Sequence, residues 1–227
     1  MNARDQLALA LDVDGLDAAV GIAEQLRPWF GIAKVGLELY ATAGNDAVAA
    51  MRRLGYDVFL DLKLHDIPTT VRKAARVLGR LGVRYVTMHA SGGAEMLRAG
   101  NGGLAAGAAE AGHAPPVVLG VTVLTSDPDS SPFDSRLAVV AASGCGGVVC
   151  SALEVASVKS RHPHLVTVVP GIRLAGGAAH DQARVGTPEG AIRDGADVLV
   201  IGRAVTAAPD PVVAAGEITA AVAAATG

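Results

Sequence analysis

The chain has 227 residues, a formal net charge of -3 and an apolar content of 51%. Such a chain can bury a substantial core within one domain, and its near-neutral balance excludes an overall electrostatic footprint for nucleic acid or an anionic membrane surface. No apolar run is long enough to cross a bilayer and no secretory leader pattern opens the chain, so a soluble, cytoplasmic, single domain over residues 1–227 is expected.

Taken in order, short β-branched or Leu-rich runs predict strands over 7–12, 32–36, 57–62, 84–89, 117–124, 147–151, 165–170 and 197–202. Helical stretches separate them, among them Leu16 to Arg27, Asn45 to Leu54, Thr70 to Leu81 and Ala94 to Ala111, and Asp210 to Thr226 reads as a closing helix. Two loops stand out: Thr125 to Pro132, rich in Ser, Asp and Pro, and the Gly- and Ala-rich Arg173 to Pro188, a lid candidate. Cys145 and Cys150 flank a Gly-Gly-Val-Val strand pattern without metal-ligand spacing and read as buried, reduced thiols.

Strand, helix, strand alternation implies parallel pairing. Eight such units, with no dinucleotide-type glycine fingerprint after the first strand, favour a closed (β/α)8 TIM barrel over an open doubly wound sheet. In that architecture chemistry sits at the carboxyl ends of the strands. Those ends carry Asp12, Lys34, Asp61 with Lys63, His89, Thr125, Arg173, and Gly202 with Arg203.

Asp61 and Lys63 lie two apart on a strand, so their side chains are expected on one face. Asp66 follows where Pro68 suits a helix start. Carboxylate, ammonium and carboxylate can then meet, and a purely structural salt-bridge cluster there would be costly to desolvate. Adjacent carboxylates favour the ammonium form, so Lys63 reads as an acid rather than a Schiff-base nucleophile. An ammonium beside a reacting carbon can stabilise a developing carbanion and then protonate it.

Gly202-Arg203 and Pro170-Gly171-Ile172-Arg173 follow the eighth and seventh strands, where such barrels commonly bind phosphate. Asp12 and Lys34 suit sugar hydroxyls or an extended charge network, against helix capping for Asp12 and a snorkelling surface lysine for Lys34. His89 reads as a rim group rather than a base, and nothing near it has metal-ligand spacing. His113, His162, His164 and His180 carry no readable signal.

The run Phe59-Leu-Asp-Leu-Lys-Leu-His-Asp-Ile-Pro-Thr-Thr-Val71 resembles the signature of the orotidine 5'-phosphate decarboxylases, in their short monofunctional microbial form. It is accompanied in order by Leu9-Ala-Leu-Asp12, Lys34-Val-Gly36, His89-Ala90, Leu124-Thr-Ser126, Pro170-Gly-Ile-Arg173, Asp181-Gln182 and Ile201-Gly-Arg203. The resemblance spans nearly the whole chain. It implies the last step of UMP biosynthesis, orotidine 5'-phosphate to uridine 5'-phosphate and CO2, without cofactor or metal.

It further implies that Lys63 donates the proton to C6 of the pyrimidine and that Asp61 sits against the departing carboxylate. A homodimer would share its sites, Asp66 and Thr70 reaching into the neighbouring subunit's. Asp12 and Lys34 would contact the ribose and the charge network, Thr125 the pyrimidine, and Arg173, Gln182, Gly202 and Arg203 the phosphate. Three alternatives stay open: a metal-assisted sugar-phosphate decarboxylase of the same barrel superfamily, against which Ile67-Pro68 and Thr125-Ser126 argue, a Schiff-base aldolase, and a non-catalytic phosphate-ligand-binding barrel.

Overall fold

The computed structural model describes residues 2–174 and 186–226. Eight parallel strands close into a barrel in sequence order, β8 pairing back onto β1. They are β1 (Leu7–Ala10), β2 (Ile32–Val35), β3 (Asp57–Leu64), β4 (Tyr85–His89), β5 (Val117–Val121), β6 (Gly147–Val149), β7 (Val166–Val169) and β8 (Val198–Ile201). Around them run α1 (Leu16–Leu26), α2 (Leu37–Ala43), α3 (Asn45–Arg53), α4 (Pro68–Gly79), α5 (Gly93–Glu110), α6 (Phe133–Ala141), α7 (Val155–Arg161), α8 (Pro188–Arg193), α9 (Arg203–Thr206) and α10 (Pro211–Thr226).

The apolar runs are continuous because both faces of each strand are buried, yet the two faces pack against different partners. Ala8, Ile32, Phe59, Tyr85, Leu119, Val168 and Val198 share the barrel interior. Leu7, Leu9, Val35, Leu60, Val86 and Leu199 face the helix layer. The interior parity carries on toward the carboxyl ends, where Lys34, Asp61 and Thr87 lie two residues beyond Ile32, Phe59 and Tyr85 and are all buried. The barrel floor is therefore apolar and its active end polar.

Helix α4 begins with Pro68 in its first turn and buries Val71, Ala75 and Leu78, an i, i+4, i+7 stripe. It packs closely on α5 through glycine: a Cβ on Gly107 would stand 1.9 Å from the Arg76 carbonyl oxygen. Their exposed sides are joined by Glu110, which pairs with Arg76 and Arg80. Helix α5 in turn packs on β4, the strand that carries Thr87.

The expected strands all form, with shifted ends. β5 stops at Val121 rather than 124, because the chain turns there and Arg136 of α6 donates to the Thr122 carbonyl at 2.7 Å. β3 runs on to Leu64, two residues past its expected end. Both cysteines are buried and outside any disulfide, and burial pushes the pKa of the Cys145 thiol up to about 12. Among the described residues no helix is long and apolar enough to cross a membrane.

Candidate active site

A cavity of about 270 Å³ opens at the carboxyl ends of the strands and is lined by Asp12, Lys34, Asp61, Lys63, Thr125, Arg173, Gly202 and Arg203 together with apolar residues such as Phe59, Val121 and Val200. Eight of the eleven expected site residues thus share one cavity. Gln182 lies outside the described residues. Asp66 and Thr70 are exposed and line a separate hollow beyond β3, with Leu62, Leu64 and Val71, which Lys63 also borders.

One wall of the cavity is a row of alternating charges. Lys34 Nζ donates to Asp12 Oδ1 at 2.8 Å and stands 3.9 Å from Asp61 Oδ2, to which Lys63 Nζ donates at 2.8 Å. Neither competing reading survives for the first pair: Lys34 is buried rather than snorkelling, and Gly15, not Asp12, caps α1. Their approach needs Gly36, where a Cβ would stand 2.9 Å from Asp12 Oδ1 and 3.0 Å from Lys34 Nζ.

The expected meeting of Asp66 with this row does not occur within one chain. Its carboxylate instead accepts the Ile67 N–H at 2.6 Å beside the start of α4. The regular alternation expected of Asp61 and Lys63 is also broken. Lys63 has φ +50°, and it is the only non-glycine in the left-handed region among the described residues. That backbone costs about 1–2 kcal/mol for an L-residue, so surrounding contacts must hold it.

Those contacts include one that the sequence reading missed. Buried Thr87 accepts the Lys63 N–H at 2.9 Å and donates its hydroxyl proton to Asp61 Oδ1, also at 2.9 Å. Its signal was present: Thr87 is two residues before His89 and shares the inward parity of Tyr85. His89 closes β4 half-buried, its ring 5.5 Å from that of His65. Burial, and then the charges of His65, Lys63 and Arg136, hold its pKa below the ordinary 6.5.

Another part of the lining, after β7 and β8, is cationic. Arg173 is buried, and its pKa is lowered first by burial and then by the charge of Arg203. Its Nη1 donates to the Ile172 carbonyl at 2.7 Å. Gly171, at φ +75°, turns the chain out of β7, and the Arg173 N–H donates to the Gly186 carbonyl at 2.9 Å. The ends of the expected lid segment are thereby bridged, while residues 175–185 lie outside the described residues. Among the described residues no three His, Cys, Asp or Glu side chains gather as they would around a metal ion.

The family model for orotidine 5'-phosphate decarboxylase / HUMPS matches residues 5–218. A protein of Anaeromyxobacter dehalogenans named orotidine 5'-phosphate decarboxylase is 47% identical, the alignment covering 97% of this chain and 99% of that one. One of the same name from Moorella thermoacetica is 43% identical over 97% of this chain and 93% of its own length. The crystal structure of orotidine 5'-phosphate decarboxylase from Lactobacillus acidophilus superposes with a TM-score of 0.80 at 35% identity, covering 95% of this chain and 98% of that one. With the same barrel, near-complete coverage and this charged row at the strand ends, the chain belongs to the orotidine 5'-phosphate decarboxylase / HUMPS family.

Proposed function

We propose that this protein decarboxylates orotidine 5'-phosphate to uridine 5'-phosphate and CO2 in the cytoplasm, with Lys63 as the proton donor and no cofactor. The observation that carries the reading is the row Asp12, Lys34, Asp61, Lys63 in one cavity together with Arg173 and Arg203. The guanidiniums suit the phosphate dianion, whose charge would offset their mutual repulsion. Gly202 lets the backbone approach the same group, and Gln182 belongs to the same phosphate set. On this reading Thr125 contacts the pyrimidine, and Asp12 and Lys34 the ribose.

The chemistry asks for electrostatics. The bond between C6 and the carboxylate carbon breaks, its electron pair stays on C6 as a vinyl carbanion outside the π system, and CO2 departs. Lys63 Nζ stabilises that charge and delivers its proton to C6. Asp61, against the departing carboxylate, disfavours the charged ground state more than a transition state whose charge has moved to C6. Enzymes lower barriers by roughly 8–23 kcal/mol, more than one ammonium supplies, so binding of the phosphate and ribose must help organise the array.

On this reading the row lacks Asp66 within one chain. Asp66 and Thr70 face outward beside Ile67, which is 67% exposed, and the half-buried Leu62 and Leu64. This apolar margin suits a homodimer in which each subunit lends Asp66 and Thr70 to its neighbour's site.

The test is direct: incubation of the purified protein with orotidine 5'-phosphate, followed by ultraviolet absorbance, is expected to show conversion to uridine 5'-phosphate that survives chelator. No turnover would favour a non-catalytic phosphate-binding barrel. Activity abolished by chelation and restored by a divalent ion would favour the metal-assisted branch.

A further inference from the structure

The conformation of Lys63 has an identifiable origin. Leu60 stands opposite Val86 and Leu64 opposite Met88, so four steps along β3 match two along β4. The surplus residues lift Lys63 off the regular ladder and into the left-handed region. Its N–H then finds the hydroxyl of Thr87, the residue between Val86 and Met88, instead of a ladder carbonyl.

The same hydroxyl donates to Asp61, and these roles are fixed by chemistry: an amide N–H only donates and an ionised carboxylate only accepts. A group at position 87 must therefore do both at once. Thr87 is fully buried, at 0% exposure, so bulk water cannot stand in for it. With Oδ1 of Asp61 held by Thr87, Oδ2 is left facing Lys63 Nζ at 2.8 Å and Lys34 Nζ at 3.9 Å.

We propose that Thr87 is a positioning residue of the reaction, its one hydroxyl fixing both the backbone that aims Lys63 and the carboxylate of Asp61. It is absent from the cavity lining, so it acts through these two residues rather than on substrate. The proposal rests on the assignment of Lys63 as the acid. Thr87 links parts of one polypeptide that lie 24 and 26 residues away.

Thr87→Val keeps the shape and removes the hydroxyl, whereas Thr87→Ser keeps the hydroxyl and removes a methyl. Steady-state kinetics of Thr87→Val are expected to show kcat lowered about 10- to 100-fold, the loss of a hydrogen bond to a charged group, with KM within about threefold of wild type. Thr87→Ser is expected to keep kcat within about threefold. A packing role predicts the reverse order, Ser worse than Val, and that order would overturn the proposal.

Should Thr87→Val fail to fold, Thr87→Ala and Thr87→Ser make an equivalent pair, since both lack the methyl and only one has the hydroxyl. Equal kcat in that pair overturns the proposal, and a deficit confined to Ala supports it. Lys63→Ala, measured alongside, separates the two ideas. Its retained activity would remove the Lys63 assignment on which Thr87 depends, whereas an inactive Lys63→Ala with fully active Thr87→Val and Thr87→Ala removes only the positioning role.

Discussion

The barrel contains two clusters of lysine, aspartate and threonine, one at each end, built from the same residue types to opposite effect. At the amino ends of β7 and β8, Asp197 Oδ2 accepts Lys159 Nζ at 2.6 Å, the Thr167 N–H at 2.7 Å and the Thr167 hydroxyl at 3.0 Å. Lys159 also donates to the Leu165 carbonyl at 2.9 Å, and the Asp197 N–H returns a bond to Thr167 Oγ1 at 3.1 Å. All but the hydroxyl bond of Thr167 tie backbone or helix α7 to the sheet. At the carboxyl ends, Lys63, Asp61 and Thr87 instead turn the ammonium toward a cavity, on a backbone that needs holding. Charged clusters alone do not mark a site; exposure to a cavity and stored backbone strain separate the two.

The largest break in that comparison is expected from Lys63→Ala, which should lower kcat by about 10³-fold or more while leaving binding of the product nucleotide largely intact. Single-turnover decarboxylation at an undiminished rate by the folded variant would remove Lys63 from its role. The same variant tests the proposal that two subunits share each site. Lys63→Ala and Asp66→Ala homodimers should each be impaired, and refolding them together should restore about a quarter of wild-type activity, because half the dimers then hold one intact site. No recovery in a demonstrated hybrid would mean that Asp66 serves its own subunit or none.

Next in size is Arg203→Ala, expected to lower kcat/KM about 10- to 100-fold through the loss of a charge-assisted phosphate contact. If phosphate binding organises the charged row, kcat falls along with affinity; a change in KM alone would confine Arg203 to uniform binding.

At the opposite end Asp197→Ala should reverse the pattern. Kinetics are expected within about twofold of wild type, while the unfolding midpoint falls by roughly 2–10 °C as the Thr167 and Lys159 donors lose their acceptor. A catalytic defect without loss of stability would show that the two ends are coupled.

The active end of this contrast was largely legible in the sequence, whereas the cluster of Lys159, Thr167 and Asp197 was not. The eight strands and their polar ends follow from short apolar runs, because burial on both faces leaves that pattern in any parallel barrel. Asp12, Lys34, Asp61, Lys63, Thr125, Arg173, Gly202 and Arg203 came together because all lie near or just beyond the carboxyl ends of their strands. Other features were hidden for a physical reason. The surplus of residues in β3 shows only against β4, so neither the left-handed Lys63 nor its bond to Thr87 is a local property. Asp66 belongs to the same short motif as Lys63, yet the turn into α4 sends it away from the row.

The smallest expected effect concerns His89, where like charges crowd the active end. Because its folded pKa lies below 6.5, the unfolded chain binds a proton at this position before the folded chain does. The sign follows from linkage: above about pH 6.5 both states carry neutral His89 and stability is unaffected, whereas below it the folded state loses ground until its own pKa is passed. His89→Gln removes that term. Thermal unfolding at about pH 7 and about pH 5 should therefore show the wild-type midpoint dropping some 1–2 °C further than the variant's. Equal drops would mean that neither burial nor the charges of His65, Lys63 and Arg136 hold down the pKa of His89 in the folded state. A larger drop in the variant would mean that Asp61, the one group acting in the other direction, dominates at this rim.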